Sequence, residues 1–137
     1  MGIDLANVAN AVSIAEAAVR AHDAPALVAL RYVKSSRGTL AFTCHGERTC
    51  VLEMDGPWST RTQAACQEAW SKLTDAHIPY TFHWGKVNNL DDQLVRTMYG
   101  QRLTEWLAAR RELLKSDRLL RERVFANRFL RQLNLHT

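Results

Sequence analysis

The hydrophobic pattern changes period on either side of Pro25, and that change decides what this chain can fold into. Before it, Val8, Val12, Ala15 and Val19 recur at helical spacing with alanines between them, which predicts one amphipathic helix from Val8 to Ala21, stopped by "HDAP". After it, "ALVALRYV", "TLAFTC" and "CVLEMD" are short runs rich in β-branched and aromatic residues, separated by "SSRG" and "HGER". They predict an antiparallel meander. "DGPWST" then breaks the sheet, and Ser59 or Thr60 caps a helix carrying Ala65, Ala69, Trp70 and Leu73 on one side, ending near "HIP". An extended segment and turn follow. From Leu90 onward the pattern is helical: "DDQLVRTMYG" is a short helix, Leu103, Trp106, Leu107, Leu113 and Leu114 mark a longer one, and "RVFANRFLRQL" a last one. The predicted class is α+β, a small antiparallel sheet covered by helices on one side, with a helical C-terminal third.

A length of 137 residues with 47% hydrophobic content suits a single domain with a real core and excludes the disordered and fibrous classes. The opening "MGIDLANVAN" has no basic stretch leading into an apolar run, and no later segment has the length of a spanning helix, so a cytoplasmic chain with no transmembrane segment is expected. Three cysteines, Cys44, Cys50 and Cys66, are read as reduced packing residues. The spacing "C-H-x4-C" offers three potential ligands and no second pair, so no metal site is predicted.

Two places hold residues that suit chemistry. Alternation puts Leu27, Ala29, Arg31 and Val33 on one face of the first strand of the meander. A guanidinium on that face needs an anion: either Glu53, itself mid-strand in "CVLEMD", or solvent, or a negative charge on a bound oxygen. The second place is "YTFHWGKVNNLD", residues 80 to 91. Pro79 blocks the preceding helix and begins an extended run, with Phe82 and Trp84 on one face and His83 on the other. Gly85 frees the backbone to turn, and Lys86 leaves the strand end with a long reach. Either Lys86 is partly desolvated and hydrogen-bonds an oxygen, or His83 bonds backbone, Trp84 fills core and Lys86 snorkels to water.

"ALRYVKSSRGTLAFT", "TCVLEMDG", "IPYTFHWGKVNNLD", "RTMYG" and "FANRFLRQLNL" together resemble, in order and spacing, the C-terminal part of the substrate-binding domain of FAD-linked oxidases of the vanillyl-alcohol oxidase superfamily. The cholesterol oxidase substrate-binding type is nearest, and D-arabinono-1,4-lactone oxidases and alditol oxidases share the "HWGK" element. The resemblance covers nearly the whole chain. It implies a domain that covers the flavin ring while a substrate CH–OH group gives a hydride to the flavin and oxygen reoxidises it. By the same resemblance, Arg31 and Lys86 bind the substrate oxygen and ease its deprotonation. His83, Trp84 and Gly85 shape the flavin face, Asn88 and Glu53 contact substrate, and Asn127 is structural.

The sequence departs from that pattern in two ways. Many relatives carry an acidic residue two positions before the strand arginine, and here that position is Ala29, which leaves Lys86 or Glu53 to accept the proton. The six glycines are scattered, with no glycine-rich pyrophosphate loop, so FAD is expected to be held by a FAD-binding domain or subunit outside these residues. The substrate class is a small alcohol: a sterol, a sugar lactone or a polyol. The alternative function is a non-catalytic interaction module derived from the same fold.

The net charge of +4 comes mainly from late arginines, Arg110, Arg111, Arg118, Arg121, Arg123, Arg128 and Arg131. They are interleaved with Glu105, Glu112, Asp117 and Glu122, the pattern of a solvated helix with i,i+4 pairs, and no nucleic-acid partner is predicted from them.

Overall fold

The computed structural model describes residues 1–136, which fall into two compact units, 1–37 with 42–84, and 38–41 with 85–136. In the first unit the order is β1 (Gly2–Asp4), a 3-10 turn at Leu5–Asn7, α1 (Val8–Ala21), β2 (Leu27–Lys34), β3 (Arg48–Asp55), α2 (Thr60–Asp75) and β4 (Tyr80–Thr81). The sheet runs β2-β3-β1-β4 and every neighbouring pair is antiparallel. This β-α-β-β-α-β order with β1 inserted beside β3 is a split βαβ, the ferredoxin-like arrangement.

The expected helices form where the periodicity puts them. In α1 the buried positions are Ala11, Ala15 and Ala18, and in α2 they include Ala65, Ala69, Trp70 and Leu73. The alanines at these spacings let the two helices lie close to each other. Ser59 caps α2, its hydroxyl accepting the Thr62 amide at 3.1 Å. The sheet face bearing Ile3, Cys50, Leu52 and Tyr80 looks toward the helices, and the Tyr80 hydroxyl lies 3.1 Å from Thr74 Oγ1 of α2. Phe82 joins this core edge-on to both Trp70 and Tyr80, at 5.0 and 5.4 Å between ring centroids.

The meander differs from its prediction. "TLAFTC" is not a strand; β2 pairs directly with "RTCVLEMD", and the place beside β3 goes to Gly2–Asp4. The reason is burial: Ile3 is 0% exposed at the centre of the sheet, whereas Leu40 and Phe42 are half-buried on a loop. The segment that begins at Phe42 lies against the other face of the sheet. Its Phe42 carbonyl accepts the Thr81 hydroxyl at 2.5 Å, and Thr81 Oγ1 also lies 3.0 Å from His45 Nε2. A Cβ on Gly2 would stand 2.0 Å from the Phe42 oxygen, so only glycine fits under the loop.

In the second unit, α3 (Asp92–Tyr99) and α4 (Gln101–Leu114) meet at Gly100, whose φ of +49° breaks the helix without a side-chain penalty. The unit's buried side chains include Val95, Tyr99, Leu103, Leu114, Leu133 and Leu135. Arg102 of α4 donates to the carbonyls of Thr39 and Gly38, at 3.0 and 2.5 Å. The predicted last helix is divided: a π-helical turn spans Leu120–Val124, and α5 begins at Arg128 after Asn127. Asn127 Oδ1 accepts the Leu130 amide at 2.9 Å, a helix cap that ends one segment and starts another. No helix among the described residues is long and apolar enough to cross a membrane.

Replacing Gly2 with alanine is expected to lower the unfolding free energy by about 1–3 kcal/mol, the usual range for forced overpacking. An unchanged urea midpoint for Gly2→Ala would contradict the tight contact of the loop with β1.

Candidate functional site

β2 and β3 are paired along their whole length, and their register fixes where Arg31 can act. Ala29 lies opposite Glu53 and Arg31 opposite Val51, so Arg31 and Glu53 are diagonal neighbours on one face, the face shared with Gly2 and Thr81. Their side chains meet in a forked pair. Arg31 Nε donates to Glu53 Oε2 at 2.9 Å, and Nη2 donates to Oε1 and Oε2 at 2.7 and 2.6 Å. The hydrogen bonds and charge of Glu53 hold the Arg31 guanidinium above its ordinary pKa, with a smaller contribution from Asp55. The arginine side chain is 68% exposed and the glutamate 26%, so the pair stands on the open part of the sheet face rather than inside the core. Of the anions that the sequence allows for Arg31, the structure supplies Glu53.

The second candidate stretch begins where β4 ends. The extended run is only Tyr80 and Thr81, shorter than predicted, because β4 pairs solely with the three-residue β1 and has no further partner to extend along. Phe82 is core and Trp84 is half-buried in a turn, so the two do not share a strand face as expected. His83 is exposed and tilts against Phe42, with ring centroids 4.7 Å apart. Gly85 and Lys86 are exposed. Among the described residues the Lys86 ammonium has no ion pair, so the lysine reaches into solvent without being desolvated. Asn88 spends its amide locally, donating to the Lys86 carbonyl at 2.8 Å and accepting the Leu90 amide at 3.2 Å. Asp91 then caps α3 by accepting the Leu94 amide at 2.7 Å.

Arg31, Glu53, His83 and Trp84 thus belong to the first unit, and Gly85, Lys86 and Asn88 to the second. The structure brings Arg31 and Glu53 together; Asn88 is a loop brace. Sequence reasoning passed over the hydrogen-bonded set of Thr81, His45 and Phe42, and also Arg110, which is 7% exposed. An arginine in an otherwise amphipathic helix gives no sign of burial in the sequence. "TCHGERT" likewise hides that His45 folds back onto β4.

A FAD pyrophosphate needs glycines and open amides at a strand-to-helix turn. The first such turn here carries Asp4, whose carboxylate accepts the Ala6 amide at 2.9 Å and would repel a phosphate. That turn therefore does not suit the pyrophosphate of the dinucleotide. No group of three or more His, Cys, Asp or Glu side chains among them is placed to hold a metal ion. Compared with known proteins, the chain matches no protein-family model, and no curated protein and no solved structure is significantly similar to it.

All three cysteines are free thiols, and Cys50 is fully buried. Burial pushes the Cys50 and Cys66 thiols up from their ordinary pKa, so both hold their protons beyond the usual thiol range. Because the unfolded chain ionises first, their contribution to stability is present below the ordinary thiol pKa and is lost as the pH rises through the raised value. Cys50 is expected to react with iodoacetamide at pH 8 at least about tenfold more slowly in the native protein than in urea, since the thiolate is the reactive form. Equal labelling of the Cys50 peptide in both states, read by mass spectrometry, would contradict its placement.

Proposed function

We propose that this chain is the C-terminal part of the substrate-binding domain of a FAD-dependent alcohol oxidase, with the flavin held by a separate domain or subunit. The observation that carries the reading is the place of Glu53. The carboxylate that relatives carry two residues before the strand arginine is absent at Ala29, and Glu53 stands directly opposite Ala29 on β3, bonded to Arg31. A carboxylate is thus restored beside the arginine from the neighbouring strand. The pair offers an alcohol what its deprotonation needs: guanidinium donors for the developing alkoxide oxygen and a carboxylate to accept the hydroxyl proton. The ferredoxin-like sheet, with this pair on its open face, agrees with a domain that lies against something else.

Lys86 is assigned the second contact to the substrate oxygen on the resemblance alone, and its exposed, unpaired ammonium is compatible with that role. His83, Trp84 and Gly85 are assigned the flavin-facing surface, and the substrate is a sterol, a sugar lactone or a polyol. One observation favours the other reading, a non-catalytic interaction module: Arg31 already spends both Nε and Nη2 on Glu53, as a purely structural pair would.

The two readings separate by sequencing upstream of the Met1 codon for a frame with a glycine-rich flavin-binding segment. That frame is then coexpressed with this chain, and flavin absorbance and peroxide production are measured with a panel of alcohols. Arg31→Ala and Lys86→Met are each expected to lower turnover about 100-fold, the size of losing one preorganised donor, while the thermal midpoint stays close to that of the parent. Turnover unchanged in both variants, or no flavin bound by the coexpressed pair, would overturn the oxidase reading and leave the interaction module.

A further inference from the structure

The geometry points to an anion-binding site in the second unit, independent of the proposed function, that takes the phosphoryl group of a small phosphate monoester. A cavity of about 460 Å³ is lined by Arg111, Arg121, Glu122, Ala126, Arg131 and His136. Three guanidinium groups and an imidazole therefore line one concavity against one carboxylate. That carboxylate is already answered: Arg118 Nε donates to both oxygens of Glu122, at 3.0 and 3.1 Å. The cations lining the cavity have no such answer. Arg111 gives Nε to the Leu107 carbonyl of its own helix at 3.2 Å, and Arg131 gives Nη2 to the Glu122 carbonyl at 2.7 Å. Neither bond neutralises charge. The Arg121 guanidinium has no hydrogen bond or ion pair among the described residues.

Two buried atoms make the same demand. His136 Nδ1, on the wall of the cavity, is buried without a hydrogen-bond partner. Arg110, near enough to Arg121 for their like charges to interact, is 7% exposed; its Nη2 donates to the Phe125 carbonyl at 2.6 Å while Nη1 is buried without a partner. A buried cation with no carboxylate is costly, and burial together with the like charge of Arg121 lowers the Arg110 pKa. An anion in the cavity would offset that repulsion. Several arginines in one concavity suit a doubly charged, multi-oxygen group better than a single carboxylate, because each planar fork takes two oxygens. The volume exceeds a bare phosphate and leaves room for a small organic body, within the range of ligand pockets.

The test is titration of the full chain with inorganic phosphate, glycerol 3-phosphate and sodium acetate by calorimetry at constant ionic strength. Arg121→Met, Arg111→Met and, as an equal charge change on α1 in the other unit, Arg20→Met are titrated alongside. Saturable binding of phosphate and the monoester at one site is expected, with acetate at least tenfold weaker. Arg121→Met and Arg111→Met should each weaken it roughly tenfold, the loss of one charge-assisted contact, with Arg20→Met unchanged. Circular dichroism of the variants confirms folding, and Arg111, whose side chain bonds the Leu107 carbonyl of its own helix, serves if Arg121→Met does not fold. No saturable phosphate binding, equal weakening by Arg20→Met, or binding of a single-stranded oligonucleotide without binding of phosphate would each overturn the proposal.

Discussion

The first unit depends on one insertion: Gly2–Asp4 enters between β3 and β4 and completes the sheet. Without it, β4 would have no partner and the β2–β3 ladder would be a two-stranded ribbon, which is marginal in water on its own. Ile3 brings an aliphatic side chain to the centre of the core, and Gly2 brings the absence of one where the Phe42 carbonyl descends. Hydrophobic burial on one face and close backbone approach on the other are thus satisfied by adjacent residues of the same strand. The two demands follow from strand alternation, which sends neighbouring side chains to opposite faces.

Much of the helical half of this arrangement was legible in the sequence. The spacing of Val8, Val12, Ala15 and Val19 and the cap at Ser59, one of two candidates with Thr60, act through short-range physics, and each appears where the pattern puts it. The sheet was legible only in part. β2 and β3 were readable from their composition, but a three-residue strand such as Gly2–Asp4 is too short to carry a period, and its partners lie at Thr49–Val51 and Tyr80–Thr81. "TLAFTC" has the composition of a strand and becomes a loop because the position it would fill is taken. The break at Asn127 was hidden for a similar reason: an asparagine within a helical period becomes a cap only once the chain before it has left the helix.

The candidate site divides in the same manner. Glu53 was one of three partners that the sequence left open for Arg31, and the antiparallel register delivers that pair. The surroundings of Lys86 did not follow, since solvent exposure in a turn depends on how far the preceding strand extends. β4 stops after two residues, and His83 to Lys86 are shaped by turn geometry instead of a pleat. Arg110 marks the limit of sequence reading in the other direction. Among seven late arginines with ordinary charge patterning, one is buried by packing that no local rule reports.

β2 is an outer strand of the sheet, eight residues long, and no strand among the described residues pairs with its outward edge. Such an edge is a template for a second molecule to extend the sheet, and Leu27 and Tyr32 standing open along it would favour that. Charge opposes it on both faces: an incoming β-strand would have to accommodate Arg31 and its carboxylate on one face and the terminal Lys34 on the other. The ion pair on the open face thus sets charge against edge-to-edge association of β2.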